Sequence, residues 1–219
     1  MSFHIKYRPD NFSDVKGNSD TLEILEGMLS DIETCPHTFL FYGNSGCGKT
    51  TTARILANRL GCRGSDYNEI NTADFRGIDT IREIIGKSQF KPIEGTCRVW
   101  VLDEIHKATG EAQNALLKIL EDSPKHVYFI LCTTDPQKLL ATIKGRCTQF
   151  QMKPLSEAQM HVLLRKVVIE EGEKLEREIY DQIIQDSLGH PRNALQILEQ
   201  VLKVSPDRRI EIAKQAAVE

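Results

Sequence analysis

An α/β fold followed by a smaller helical domain is what the sequence predicts, on three observations. Five short apolar runs have the length of buried strands: Thr38 to Tyr42, Tyr67 to Asn71, Arg98 to Leu102, Val127 to Cys132 and Thr148 to Gln151. Helical patterns separate them, and that alternation builds a parallel sheet covered by helices on both faces. After Pro154 no further strand-like run occurs, so the remainder reads as helix. The expectation is an αβα sandwich around a five-stranded parallel sheet over residues 1–153, then a helical lid over 154–219. Among the helices, Thr50 to Leu60 opens directly after a glycine loop, and Ile78 to Lys87 follows the turn-like pair Arg76-Gly77. Gly110 to Glu121 sets Ala112, Ala115, Leu116, Ile119 and Leu120 at helical spacing. In the second domain Ser156 to Glu171, Glu173 to Asp186 and Pro191 to Val204 read as helices, with Ser156 as a cap before Glu157 and Ala158.

Composition narrows the class. Of 219 residues, 40% are hydrophobic and 27% charged, ordinary for a globular chain and unlike a disordered, fibrous or coiled-coil one. Lys and Arg number 28 against 31 Asp and Glu, a formal charge of -3, so contact with nucleic acid has to be local. The apolar runs fall far short of the ~18 to 20 residues of a membrane span. The opening Met1 to Asp10 carries no apolar signal region, so a cytoplasmic, nucleoid-associated protein with no membrane partner is expected. Cys35, Cys47, Cys62, Cys97, Cys132 and Cys147 form no C-x-x-C pair; reduced thiols are expected, with neither zinc nor disulfides.

Gly43-Asn44-Ser45-Gly46-Cys47-Gly48-Lys49-Thr50 fits G-x-x-x-x-G-K-[ST] with a strand before it and a helix after it, the context that gives the motif meaning. Its glycines let backbone N–H groups turn inward around phosphate oxygens, and the helix N-terminus adds its dipole. Lys49 would reach the β- and γ-phosphates, Thr50 would hold Mg2+, and Thr51 completes the phosphate-binding run. Val99 to Glu104 is an apolar strand ending in two carboxylates at its C-terminal edge, where open α/β sheets bind ligands. Asp103 would hold the magnesium through its water shell, and Glu104 would orient and deprotonate an attacking water. Nucleotide hydrolysis, with ATP and Mg2+, follows. Asp103-Glu104-Ile105-His106 also has the D-E-x-H spelling of large helicases. Such motors need two sheet-bearing halves of roughly 150 residues each, and residues 155–219 contain no second sheet. His106 reads as a satisfied polar residue at the strand end.

With these motifs in place the chain resembles the ATPase part of a clamp-loader subunit of the AAA+ superfamily, as in the bacterial gamma subunit and the small subunits of replication factor C. The likeness runs from Tyr7 to about Gln200. Tyr7-Arg8-Pro9, followed by Phe12, Val15 and Gly17, resembles the family's opening segment, which implies that Tyr7, Arg8, Pro9 and Val15 lie against the adenine. Asn71-Thr72-Ala73-Asp74, Arg76-Gly77-Ile78-Asp79 and Ile81-Arg82 resemble the stretch after the second strand, and Gln113 to Lys118 the helix after the acidic pair. Leu131 to Leu139 is close to the bacterial pattern and implies that Thr134 is the sensor 1 hydroxyl, near the γ-phosphate or the water. Gly189-His190-Pro191-Arg192-Asn193-Ala194-Leu195 resembles sensor 2, with Arg192 reaching the nucleotide. Gly145-Arg146-Cys147 stands where the family has Ser-Arg-Cys, which implies an arginine finger at Arg146 acting on the neighbouring subunit's ATP; glycine replaces the serine.

Two departures stand out. Of the four cysteines that carry the bacterial zinc module only Cys62 is present, and the family's helical collar domain has no counterpart within the 219 residues, which points to a shortened form and weakens the expectation of stable assembly. The resemblance implies a motor that hydrolyses ATP to load a sliding clamp onto primer-template DNA, within a ring of clamp-loader subunits. Phosphate contacts would come from Arg76, Arg82, Lys107 and Lys118. The rivals are a non-hydrolysing stator subunit and an AAA+ remodelling ATPase of fork repair.

Overall fold

Five parallel strands form one sheet in the order β2-β3-β4-β1-β5: β1 (Thr38–Tyr42), β2 (Tyr67–Asn71), β3 (Arg98–Asp103), β4 (Val127–Thr133) and β5 (Thr148–Gln151). Every residue of β4 is buried, as are the first four of β1 and the first five of β3, which is why these runs are apolar without alternation. Among the edge strands, no residue of β2 is buried and only Phe150 of β5 is, and both are correspondingly polar. The computed structural model describes residues 1–215. Its helices are α1 (Phe3–Lys6), α2 (Ser19–Leu29), α3 (Lys49–Arg59), α4 (Ile78–Ser88), α5 (Gly110–Glu121), α6 (Ala141–Lys144), α7 (Glu157–Glu170), α8 (Arg177–Ser187), α9 (Pro191–Leu202) and α10 (Arg209–Gln215).

These elements divide into two compact units. One comprises residues 20–43 and 49–152, and the other residues 1–19, 44–48 and 153 onward. The division differs from the sequence-based boundary, which assigns all of 1–153 to the ATPase domain. In the helical unit the N-terminal segment is tied to α7 and α9 by charge. Glu199 accepts hydrogen bonds from the Ser2 hydroxyl (2.6 Å), the Phe3 amide (3.0 Å) and Lys203 (2.8 Å). The Tyr7 hydroxyl donates to Glu171, which Lys6 also meets at 2.7 Å. Asn18 and Lys153 exchange two further hydrogen bonds.

The sheet unit carries its core between the sheet and its helices, with Leu40, Leu102, Phe129 and Leu131 meeting Ile81, Ile84, Leu116 and Ile119. The core of the helical unit gathers Met160, Leu164, Ile183, Leu198 and Val201. Ser156 caps α7 in a full capping box with Gln159. The helix read from Glu173 begins only at Arg177. Gly172 takes a left-handed φ of 71° and ends α7, and just after it Arg209 bonds the Lys174 carbonyl and the Glu173 carboxylate at 3.0 Å each. The same reading leaves α1, α2, α6 and α10 unassigned.

A buried charge fixes the loop that leads into β3. Asp66 has no exposed surface, and its carboxylate accepts the amides of Ile93 (2.9 Å), Glu94 (2.7 Å) and Gly95 (2.9 Å), with Arg98 Nη2 at 3.3 Å. Burial pushes this carboxyl up, yet the three amides and the guanidinium outweigh it and hold it down at about 2. A carboxyl depressed on folding contributes stability that is complete above the ordinary carboxylate range and is lost as pH falls through that value. Replacing Asp66 by asparagine leaves the Arg98 guanidinium bonded to the carbonyls of Lys87, Phe90 and Lys91 but without its counter-charge, and should cost about 3 kcal/mol in urea unfolding at neutral pH. A loss that stays equally large at pH 2 would refute the electrostatic account.

Candidate nucleotide site

The loop between β1 and α3 adopts the conformation its glycines permit. Gly43, Gly46 and Gly48 have φ of 146°, 78° and 92°, a region that side chains rarely enter. A β-carbon at Gly43 would lie 2.2 Å from the Met152 carbonyl oxygen, whereas one at Gly48 would meet no protein atom within 4 Å. α3 starts at Lys49, directly after the loop in sequence. Lys49 is buried, and its Nζ donates to the Gly43 carbonyl at 2.8 Å. Thr51 is the third residue of α3 and half-buried; Asn44 and Ser45 are exposed.

The two ends of the site meet through a hydroxyl and a carboxylate. Thr50 Oγ1 donates to Asp103 Oδ2 at 2.7 Å, joining the start of α3 to the last residue of β3. Asp103 Oδ1 accepts the Glu104 amide at 2.9 Å. Glu104 has the left-handed backbone φ 50°, ψ 39°, a costly conformation for a non-glycine residue that is kept only where the surroundings impose it. Thr72, just beyond β2, supplies that restraint: its amide bonds the Asp103 carbonyl (2.9 Å), and its hydroxyl reaches the carbonyls of Asp103 (2.9 Å) and Glu104 (2.6 Å). The Glu104 carboxylate turns toward the end of β4, where Thr134 Oγ1 donates to Oε2 at 2.9 Å and His106 Nδ1 lies 3.2 Å from the same oxygen. His106 Nδ1 is also 2.9 Å from Thr133 Oγ1. Burial pulls the His106 ring below the ordinary histidine range, with the Glu104 charge only partly opposing it.

In the helical unit, Cys47 Sγ lies 3.5 Å from His190 Nδ1, and a β-carbon at Gly46 would come within 3.7 Å of Arg192 Cβ. The loop apex and the start of α9 are therefore neighbours. Tyr7 sets its ring edge-on to Phe3, and Arg8, Pro9 and Val15 belong to the same unit as residues 44–48. Arg146 follows α6: Nη1 donates to the Thr142 carbonyl (3.0 Å), Nη2 is 3.1 Å from Glu121, and Nε is buried with no hydrogen-bond partner among the described residues. Of the proposed phosphate contacts Arg76, Arg82, Lys107 and Lys118 are all exposed; Arg76 donates to the Ala73 carbonyl, and Arg82 pairs with Asp79 at 3.1 Å. Sequence reasoning names neither Thr72 nor Thr133 as part of the site. For Thr133 the signal is a polar residue where an apolar strand ends.

Glycine cradle, buried lysine and paired strand-end acid define a P-loop ATPase-like protein of AAA+ architecture. Solved structures of the Thermotoga maritima RuvB Holliday junction branch migration motor share the fold, with a TM-score of 0.78 at 18% identity over 96% of this chain and 72% of that one. Residues 65–156 match the family model described as DNA polymerase III, delta subunit. The chain is 34% identical to the DNA polymerase III subunit gamma/tau of Mycobacterium tuberculosis, over 96% of this chain and 40% of that protein. It is 34% identical to the DNA polymerase III subunit tau of Escherichia coli, over 92% of this chain and 35% of that protein. It thus spans well under half the length of these curated relatives. Nearly the whole chain is thus similar to a part of the DNA polymerase III gamma/tau subunits. No helix among the described residues is long and apolar enough to cross a membrane.

Proposed function

We propose that the chain is the ATP-hydrolysing motor part of a clamp-loader subunit, working in the cytoplasm at the nucleoid. The observation that carries this reading is the 2.7 Å contact between Thr50 and Asp103, which joins the start of α3 to the acidic end of β3, with Lys49 and Glu104 next to them in sequence. Two hard oxygen donors so placed fit Mg2+, which Thr50 and Asp103 would hold. When bound, that ion neutralises phosphate charge and helps align the γ-phosphoryl group.

The chain's own residues divide the remaining work. The amides of residues 44–48 and of the first turn of α3 would receive phosphate oxygens, and Lys49 would exchange the Gly43 carbonyl for the β- and γ-phosphates. Glu104 would take the proton from the attacking water, with Thr134 ordering that water beside it. Arg192 would add charge to phosphates held by its neighbour, the loop apex. The partners proposed are a sliding clamp, primer-template DNA touched through its phosphates by Arg76, Arg82, Lys107 and Lys118, and further clamp-loader subunits. A non-hydrolysing stator is the weaker reading, because Lys49, Thr50, Asp103 and Glu104 are all present.

Lys49 is the test. Its removal takes the lysine cation out of the phosphate cradle while leaving the sheet core untouched, so Lys49→Ala should abolish ATP binding in a fluorescent-ATP titration with an unchanged circular dichroism spectrum. Wild-type affinity in that variant would sink the nucleotide assignment.

A further inference from the structure

We propose that His106 is a positioning residue for the hydrolytic base: its Nδ1–H and the Thr134 hydroxyl together hold Glu104 Oε2, leaving the other carboxylate oxygen to accept the proton from water. The inference rests on the reading of Glu104 as that base.

The hydrogen-bond arithmetic sets the state of the ring. Glu104 Oε2 can only accept, and it stands 3.2 Å from His106 Nδ1. A bare nitrogen lone pair facing a carboxylate at that distance is repulsive, so the proton belongs on Nδ1. Thr133 Oγ1, 2.9 Å from the same nitrogen, already accepts the Asp135 amide at 3.0 Å and can accept the ring N–H as well. The Nδ1–H is thus directed at a fixed strand-end hydroxyl, with the glutamate oxygen 3.2 Å from the same nitrogen in ion-pair range. His106 is itself held: it is buried in the short turn Ile105–Lys107 after β3, where the Lys107 amide closes back on the Glu104 carbonyl at 2.8 Å. Thr72 and Asp103 fix the backbone of Glu104, but its side chain retains the rotamer freedom of any long acid. The Thr134 hydroxyl bonded to Oε2 and the electropositive ring edge beside the same oxygen narrow that freedom. The histidine of the D-E-x-H run therefore serves geometry here, without touching the water or the nucleotide.

Asparagine and glutamine distinguish this role from simple packing. The side-chain nitrogen of asparagine falls near the place of Nδ1, and that of glutamine near Nε2. Single-turnover hydrolysis, with protein in excess over radiolabelled ATP, should be about 10- to 100-fold slower in His106→Gln and His106→Ala, since small misplacement of a reacting group has effects of that size. His106→Asn should recover most of the wild-type rate. Fluorescent-ATP affinity and melting temperature are measured for each variant, and affinity should not move. If asparagine is no better than glutamine, or if the rate losses follow melting temperature, the positioning role is overturned. Nitrogen-15 NMR of the ring gives a readout independent of turnover: an Nδ1–H tautomer is expected, and an Nε2–H tautomer would overturn the proposal. Absence of turnover in the wild-type protein would instead overturn the reading of Glu104 on which the role depends.

Discussion

Glu104→Gln should bind ATP as tightly as the wild-type chain and hydrolyse it about 10²- to 10⁴-fold more slowly, the range spanned by a positioned general base. Glutamine keeps the length of the side chain, and its amide oxygen can still accept from Thr134 and from the His106 ring. The left-handed turn should also survive, because its restraints come from Thr72 and from the Asp103 side chain and do not involve the Glu104 carboxylate. What the variant loses is a basic oxygen able to take a proton. Glu104→Ala loses the hydrogen-bond acceptor as well, frees Thr134 and His106, and should be no faster. Single-turnover rates with a parallel fluorescent-ATP titration measure both quantities. Turnover of Glu104→Gln at the wild-type rate would remove Glu104 as the base.

How far the molecule can be read from its sequence depends on the range of the interactions involved. The interior strands are legible because each is a short apolar run bounded by polar residues, and all five strands end within one residue of the place expected, exactly at it in β1, β2 and β5. The glycine loop is legible for a similar reason: Gly46 and Gly48 occupy backbone regions that select glycine locally, and Lys49 and Thr50 follow at once. Local signals fail where a distant partner decides. Nothing near Ser2 or Tyr7 announces that residues 1–19 join the helical unit, since the carboxylates that tie them down belong to Glu171 and Glu199. Residues 173–176 look helical in sequence, yet Glu173 and Lys174 are engaged by the distant Arg209. The Glu104 network is the extreme case. His106, Thr133 and Thr134 meet only because β3 and β4 are adjacent and in register, with Leu102 opposite Leu131. A sequence reading can nominate His106 as a satisfied polar residue but cannot say what satisfies it.

Arg146→Ala should leave its own subunit's ATP affinity unchanged and lower hydrolysis in assembled complexes by roughly 10³- to 10⁵-fold, the measured worth of arginine fingers. The position of the residue in the sheet unit supports action in trans. Thr38 donates its hydroxyl to the Arg146 carbonyl, and Thr38 is the first residue of β1. Gly43 lies five residues further along, roughly 16 Å away at about 3.3 Å per strand residue, so Arg146 sits by the end of β1 remote from its own phosphate loop. Its charge is also available. The Glu121 carboxylate that meets it is 65% exposed, and ion pairs in such surroundings are weak and easily exchanged. Its Nε, buried and without a partner among the described residues, marks a guanidinium whose hydrogen bonding is incomplete within the chain. A delocalised cation of this kind suits the spread charge of a phosphoryl transition state. Mixing decides between cis and trans action. When Arg146→Ala and Glu104→Gln subunits are co-assembled in a longer, assembly-competent form, some interfaces pair an intact Glu104 with an intact Arg146 from the neighbour, and activity should partly return. If Arg146 works within its own subunit, every mixed complex stays as inactive as its components, and confirmed co-assembly without recovery would rule out the finger.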